Sequence, residues 1–382
     1  MPSSPPLASP DGADALALRR TRRVLETPQA AFVEIGQRRL LNFSSNDYLG
    51  LANHPRLREA GIRAIKKYGV GAGASPLVSG HSRLHEEAEL AFAQFVDLPR
   101  ALLFGRGYAA NLGILTSLAD RQAEIFADKL NHACLNDGAL LSRARFTRYA
   151  HLDMEALEAR LAASRADVRI VATDAVFSMD GDIAPVAKLV QLCDRHDAWL
   201  VLDDAHGIGV LGRNGRGSLE AIRSPRIIYM ATLGKALGGY GAFVAGDSAT
   251  IERLMQRART YIYSTALPPM AAAAATAAIE MLASDAALVD RLRSRIIEFR
   301  NACVANGLHA PPSTTAIQPF VVGSAQRALD VASRLLDAGY FVPAIRPPTV
   351  PEGTSRLRVS LSAAHTRENV ESLAMALGRA LA

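Results

Sequence analysis

Short apolar runs alternate with amphipathic stretches through the middle of the chain, and that rhythm limits its fold more than any other feature. VRIVATDAVF (168–177) reads as a buried strand, and VAKLVQLCDRHD (186–197) has apolar residues at helical spacing. AWLVLDDAHG (198–207) and RIIYMATLG (226–234) are strands again. Strand–helix–strand units in series build an α/β domain, with a mostly parallel central sheet and helices on both faces. Ligands of such sheets bind beyond the carboxyl ends of the strands, so reactive residues are sought there.

The flanks extend the pattern. SRLHEEAELAFAQFV (82–96) predicts a helix capped by Ser82, and GRGYAANLGILTSLA (105–119) a glycine-rich turn running into a helix. After an alanine-rich helix at 269–282, a boundary is expected near Ser284 and Asp285. The remainder, with IQPFVVG, AQRALDVASRLLDAG, RLRVSLSA and a final helix, reads as a small α/β domain. The expected division is 1–53, an N-terminal tail and a segment packing on the small domain; 54–284, the large domain; and 285–382, the small C-terminal α/β domain.

At 382 residues and 49% hydrophobic, the chain has ample material for a core. Its apolar stretches, such as 271–275, are too short for a membrane span. The net charge of +6 is spread along the chain; the one basic cluster (Arg19, Arg20, Arg22, Arg23) lacks interleaved aromatics, so no nucleic-acid partner is expected. Cys134, Cys193 and Cys303 are widely spaced with no CxxC, which predicts a reducing, cytoplasmic setting with no disulfide or metal site. The Pro- and Ser-rich start, 1–12, lacks an apolar signal core and reads as a frayed tail.

Four strand exits gather reactive residue types. After WLVL come Asp203, Asp204 and His206. A carboxylate leaving a buried strand is partly desolvated and wants a cationic partner. Asp203 suits a protonated ring nitrogen and His206 another atom of the same ligand; equally, Asp203 or Asp204 caps the next element and His206 is a loop histidine. Ser178, in SMDGD, belongs to an Asx-type turn or faces a ligand. Thr232 and Lys235 follow in MATLGKALGGYG (230–241), a glycine turn or the seat of an amine that condenses with an aldehyde, for which small neighbours allow close approach. Gly107 and Tyr108 open a helix after Gly105, and free N–H groups at a helix start attract anions. Together these stretches supply a phosphate seat, an acid for a ring nitrogen, a donor for a ring oxygen and a lysine for an aldehyde. Pyridoxal 5′-phosphate needs those four things.

On NFSSNDYLGL, FSMDGD, LDDAHGIGVLG, TLGKALGGYG, YSTALPP and RPPTVPEGTSRLRVSLSAAHT, from about Leu41 to His365, the chain resembles the α-oxoamine synthase family of fold-type I pyridoxal-phosphate enzymes. The resemblance implies that Lys235 joins the cofactor's aldehyde and later moves the substrate's α-proton. It implies Asp203 on the pyridine nitrogen, His206 on the phenolic oxygen, and His132 stacked over the ring. Gly107 and Tyr108 would hold the phosphate by backbone and Thr232 by hydroxyl, with Ser178 a further cofactor contact. Ser264 and Thr265 resemble residues that reach the partner subunit's phosphate, which implies a homodimer with a shared active site. Arg358 resembles the residue that grips an amino-acid carboxylate. Thr349 and Arg20 (Arg19 if the alignment shifts by one) resemble substrate contacts, and Asn46 is expected on the acyl side. The chain departs from the family at Asn131-His132-Ala133-Cys134, where Ser-His-Ala-Ser is common, and at Leu152, where Asn is frequent.

Within that family, RPPTVP (346–351) favours the branch of biotin biosynthesis, whose partners are L-alanine and pimeloyl-CoA or pimeloyl-acyl carrier protein. The alternatives are sister branches that use glycine or serine, of the 2-amino-3-ketobutyrate CoA ligase, 5-aminolevulinate synthase or serine palmitoyltransferase type. A non-catalytic sensor on the same fold is a further alternative; intact Lys235, Asp203 and His206 speak against it.

Overall fold

The computed structural model describes residues 17–220 and 222–382, so the expected tail at 1–12 lies outside the described residues. A hairpin of β1 (Phe32–Ile35) and β2 (Arg38–Asn42) comes first. The central sheet follows: β3 (Arg100–Phe104), β4 (Ala123–Asp128), β5 (Arg145–Tyr149), β6 (Val168–Asp174), β7 (Ala198–Asp203), β8 (Ile227–Thr232) and β9 (Ala242–Gly246). Their order is β3-β9-β8-β7-β6-β4-β5, and β9 runs antiparallel to both of its neighbours while the other pairs are parallel.

Side chains alternate across this sheet between two cores, as the period of two along a strand requires. Val171, Leu200, Leu202, Tyr229 and Ala231 enter one core, which also takes Ala88 and Phe92 of the helix Arg83–Val96 and Leu189 and Leu192 of the helix Val186–Arg195. Ile170, Ala172, Val201, Ile228 and Met230 enter the other, with Ile114 of the helix Gly107–Leu118 and Leu135 of the helix Ala133–Ser142. Both faces are therefore covered, which explains why these strands read as continuous apolar runs. The helix Arg83–Val96 starts at Ser82 as expected, with His85 in the place a Glu usually takes: the Ser82 N–H donates to His85 Nδ1 at 3.0 Å.

The helices Pro269–Ser284 and Ala286–Ala305 meet at an 80° bend, at the expected position of the boundary. Beyond it, β10 (Ile317–Gly323), β12 (Ala344–Ile345) and β13 (Ser355–Ser360) form an antiparallel sheet in the order β10-β13-β12. The short β11 (Tyr340–Phe341) pairs in parallel with β2, which fastens the N-terminal segment onto the C-terminal region. No single described helix is long and apolar enough to cross a membrane.

Candidate active site

The carboxyl ends of β4, β6, β7 and β8 carry Asp128, Asp174, Asp203 and Thr232. Strand register sets Asp174 directly beside Asp203, and both are buried. Asp203 is firmly oriented: Asn111 Nδ2 donates to its Oδ2 at 2.6 Å and the Ala205 N–H to its Oδ1 at 2.9 Å. Asp174 accepts from the His132 N–H at 2.7 Å. Burial, reinforced by the neighbouring Asp203 charge, pushes the Asp174 carboxyl well above its ordinary value.

Lys235 occupies the tight loop between β8 and β9. The Leu233 N–H donates to the Gly241 carbonyl at 2.9 Å and the Gly239 N–H to the Leu233 carbonyl at 2.7 Å. Gly238 has a positive φ of 64°, and a Cβ there would lie 2.4 Å from the Leu51 carbonyl carbon. The glycines of this stretch thus let the lysine loop press against the segment that follows Tyr48. Lys235 Nζ lies 2.9 Å from His206 Nε2. Burial lowers the ammonium from its ordinary value, while Asp203 and Asp174 draw it back up. His206 is buried, and burial, with the positive charges of Lys235 and Arg358, holds its imidazole well below its ordinary value, in the neutral form.

A polar chain continues from His206. Its Nδ1 is 2.7 Å from the hydroxyl of Tyr48, which is fully buried. Arg358 Nη2 donates to that hydroxyl at 3.2 Å, Arg358 Nη1 to Asn46 Oδ1 at 3.1 Å and to Ser360 Oγ at 2.8 Å, and Arg358 Nε to the Ser178 carbonyl at 2.5 Å. With the Arg358 donor on the Tyr48 oxygen, the one phenol hydrogen has two acceptors within reach, His206 Nδ1 at 2.7 Å and Asn46 Oδ1 at 3.1 Å, of which Nδ1 is the nearer. With that hydrogen on the Nδ1 side, the proton of neutral His206 sits on Nε2, facing Lys235. Lys235, His206, Arg358, Asn46 and Ser178 are therefore parts of one constellation, although they are scattered from 46 to 358 in sequence.

On the other side, Gly107 opens the helix Gly107–Leu118. A Cβ at Gly107 would come within 2.6 Å of Thr232 Cγ2, so the absence of a side chain brings the helix start against the end of β8. Thr232 Oγ1 is buried and has no hydrogen-bond partner among the described residues. The Tyr108 hydroxyl turns away to Asp137 and the ring is exposed, which leaves the backbone N–H as its contribution here. His132 is the N-cap of the helix Ala133–Ser142; its Nδ1 accepts from the Cys134 N–H at 3.2 Å and lies 2.8 Å from Cys134 Sγ. Burial pushes the Cys134 thiol up, so it stays protonated in the place where the family commonly has serine. Arg20 Nη2 donates to Thr349 Oγ1 at 3.1 Å, which joins these two expected substrate contacts, and Arg346 holds the arm by the carbonyls of Ala17 and Arg19. Ser264 and Thr265 are exposed.

This donor set fits pyridoxal phosphate. An unpartnered buried hydroxyl faces a side-chain-free helix start, a buried carboxylate is fixed from both oxygens, and a desolvated amine touches a neutral imidazole. Sequence reasoning missed three members. Asn111 lies one helical turn after Gly107 and so on the same face, a signal that was available. Asp174 ends the buried run of β6 as Asp203 ends that of β7, a signal of the same kind, whereas Tyr48 gave none, because its partners arrive only through long-range packing.

Comparison with known proteins agrees with the geometry. The family model for class I and II aminotransferases matches residues 38–377. The chain belongs to the class I and II aminotransferase family. Within it, 8-amino-7-oxononanoate synthase of Methylobacillus flagellatus is 58% identical over 360 residues, covering 94% of this chain and 91% of the relative. The enzyme of the same name from Nitrosospira multiformis is 54% identical over 363 residues, 94% of this chain and 92% of the relative. Among solved structures, serine palmitoyltransferase of S. paucimobilis with a bound PLP–myriocin aldimine superposes with a TM-score of 0.90 at 30% identity, covering 94% of this chain and 92% of that one. The 8-amino-7-oxononanoate synthase of Francisella tularensis superposes at 0.77 and 32% identity, covering 89% and 97%. These aminotransferase-family neighbours are α-oxoamine synthases, and the fold is that of the fold-type I transferases.

Proposed function

We infer that this chain is a pyridoxal-phosphate-dependent acyltransferase that condenses L-alanine with a pimeloyl thioester and releases 8-amino-7-oxononanoate, carbon dioxide and free thiol, the step that serves biotin biosynthesis. The observation that carries the reading is Lys235 Nζ at 2.9 Å from a buried, neutral His206, in a chain 58% identical to a relative of that name. The serine palmitoyltransferases share the fold and the cofactor chemistry, but at 30% identity they decide less about substrate than relatives above 50% do.

Pyridoxal phosphate, when bound, supplies an aldehyde for the amine and an electron sink for charge left on the substrate's α-carbon. The residues of the chain do the rest. The Thr232 hydroxyl, with the Gly107 and Tyr108 N–H groups, would hold the phosphate, and Ser178 would border the ring. Asp203 would keep the ring nitrogen protonated, and His206 would donate to the ring oxygen. His132 would cover the ring face. Lys235, freed by the incoming alanine, would take the α-proton on Nζ, and desolvation of that amine favours its neutral, basic form. Arg358, already oriented by four partners, would receive the alanine carboxylate, Asn46 would lie on the acyl side, and Thr349 and Arg20 would be further substrate contacts. Ser264 and Thr265 complete a partner subunit's phosphate seat in a homodimer. A cytoplasmic location belongs to this reading and is supported by three free, buried cysteines.

The test is thiol release from a grid of alanine, glycine and serine against pimeloyl-, succinyl-, acetyl- and palmitoyl-CoA, with pimeloyl-acyl carrier protein beside them. Release confined to alanine with a pimeloyl donor is the expected result; a preference for glycine or serine moves the chain to a sister branch. Lys235→Ala is expected to abolish both turnover and the visible absorbance of lysine-bound cofactor. Near-normal turnover in that variant sinks the assignment of Lys235.

A further inference from the structure

Behind the ring-facing residues, His151 lies between two carboxylates. Its Nδ1 is 2.9 Å from Asp128 Oδ1 and its Nε2 is 3.1 Å from Asp182 Oδ2. The Phe177 ring meets it edge-on, with centroids 4.4 Å apart. An ionised carboxylate only accepts, so the imidazole donates from both nitrogens and carries the positive charge of the trio. The two carboxylates raise it, against burial, to about 9. The other ionic groups nearby are otherwise engaged, with Asp180 paired to Arg356 and Arg148 on the Lys129 carbonyl.

Each carboxylate controls a loop of the candidate site. Asp128, fully buried at the end of β4, also accepts the N–H groups of Leu130 and Leu152, each at 2.8 Å. Its carbonyl receives the Asn131 N–H at 3.2 Å, which starts the turn that presents His132. Asp182 closes the loop after β6: its carbonyl receives the Phe177 N–H at 2.9 Å, and the loop between them carries Ser178, the carbonyl of which orients Arg358. We propose that His151 is a positioning residue, a cationic strut between the loop of His132 and the loop of Ser178 that sets the spacing of the two sides of the amino-acid slot. The proposal rests on the reading of His132 and Ser178 as cofactor contacts.

The experiment uses holoenzyme variants and reads the Kd for L-alanine from the absorbance change of the bound cofactor, with kcat measured separately. His151→Leu is expected to weaken alanine binding about tenfold. In a His132→Phe background the same change is expected to cost about threefold, because the strut then positions only the Ser178 side of the slot. Asp182→Asn, at the more open end of the trio, relaxes one arm only and is expected to give a smaller loss of the same kind. It also serves if His151→Leu does not fold. Wild-type alanine affinity in the folded variants, or an equal loss in both backgrounds, overturns the proposal. Failure of the underlying reading appears separately: His132→Phe alone would then bind alanine as tightly as the wild type.

Discussion

Tyr48→Phe isolates the hydroxyl that links the two halves of the candidate site. The ring is fully buried, and phenylalanine keeps its volume, so packing is preserved. The deletion removes contacts to His206 Nδ1 at 2.7 Å, Arg358 Nη2 at 3.2 Å and Asn46 Oδ1 at 3.1 Å. The losses are unequal. Arg358 keeps Ser178, Asn46 and Ser360, so its cost is small. His206 Nδ1 loses its only partner among the described residues, and a buried polar atom left unpaired costs about 1–3 kcal/mol. The same loss frees the imidazole to change tautomer, which takes the proton off the nitrogen that faces Lys235. The expected result is a fall in kcat of about tenfold to a hundredfold, or ~1.4–2.7 kcal/mol of barrier. The KM for alanine should move less, since Arg358 stays in place. Steady-state kinetics of the holoenzyme measure both, and a chemical denaturation curve reads the stability cost beside them. Turnover within twofold of the wild type would refute the argument that Tyr48 sets the tautomer.

Two further perturbations address the seat and the support behind it. Gly107→Ala puts a Cβ within 2.6 Å of Thr232 Cγ2 without demanding an unusual φ, so its effect is steric. About tenfold weaker cofactor affinity is expected in an absorbance titration, and unchanged affinity removes Gly107 from the phosphate seat. Asp204, buried and held by the Tyr229 hydroxyl at 2.6 Å and the Ser218 N–H at 2.8 Å, is pushed by burial to about 7. A carboxyl raised in the folded state binds its proton more tightly there than in the unfolded chain, so stability falls as pH rises from the ordinary carboxyl range to about 7 and is level above. Asp204→Asn is expected to remove that slope, at most about 1.4 kcal/mol per pH unit, when denaturation curves at pH 5 and 7 are compared. The same slope in the variant assigns it to another group.

The sequence carried the sheet and its chemistry unevenly. Strand exits were legible because a buried run that ends in Asp or Thr announces a change of environment, and Asp203 and Thr232 lie at such ends, with Ser178 in the loop beyond the end of β6. Lys235 stood out by contrast with its glycines. What proximity in sequence does not encode was lost: Tyr48 meets His206 across 158 residues, and Asn46 meets Arg358 across 312. His151 carries no signal of its own in AHLDM; only the fold reveals that both of its nitrogens face acids.

The reversed strand β9 separates the lysine loop from the other loops at this edge. The exits of β4 and β6 lead toward helices that lie on the sheet, and that of β7 into a long loop with one 3-10 turn at Arg213–Gly215; such connections can be lengthened at modest entropic expense. Residues 233–241 instead return at once into the sheet, with Thr232 paired to Ala242 across the loop's base. Insertions elsewhere along this edge can reshape the slot and retune which acyl chain it accepts. An insertion here would lift the amine off its register with His206. Diversification of this scaffold is therefore expected to leave the length of that hairpin unchanged while the loops around it vary.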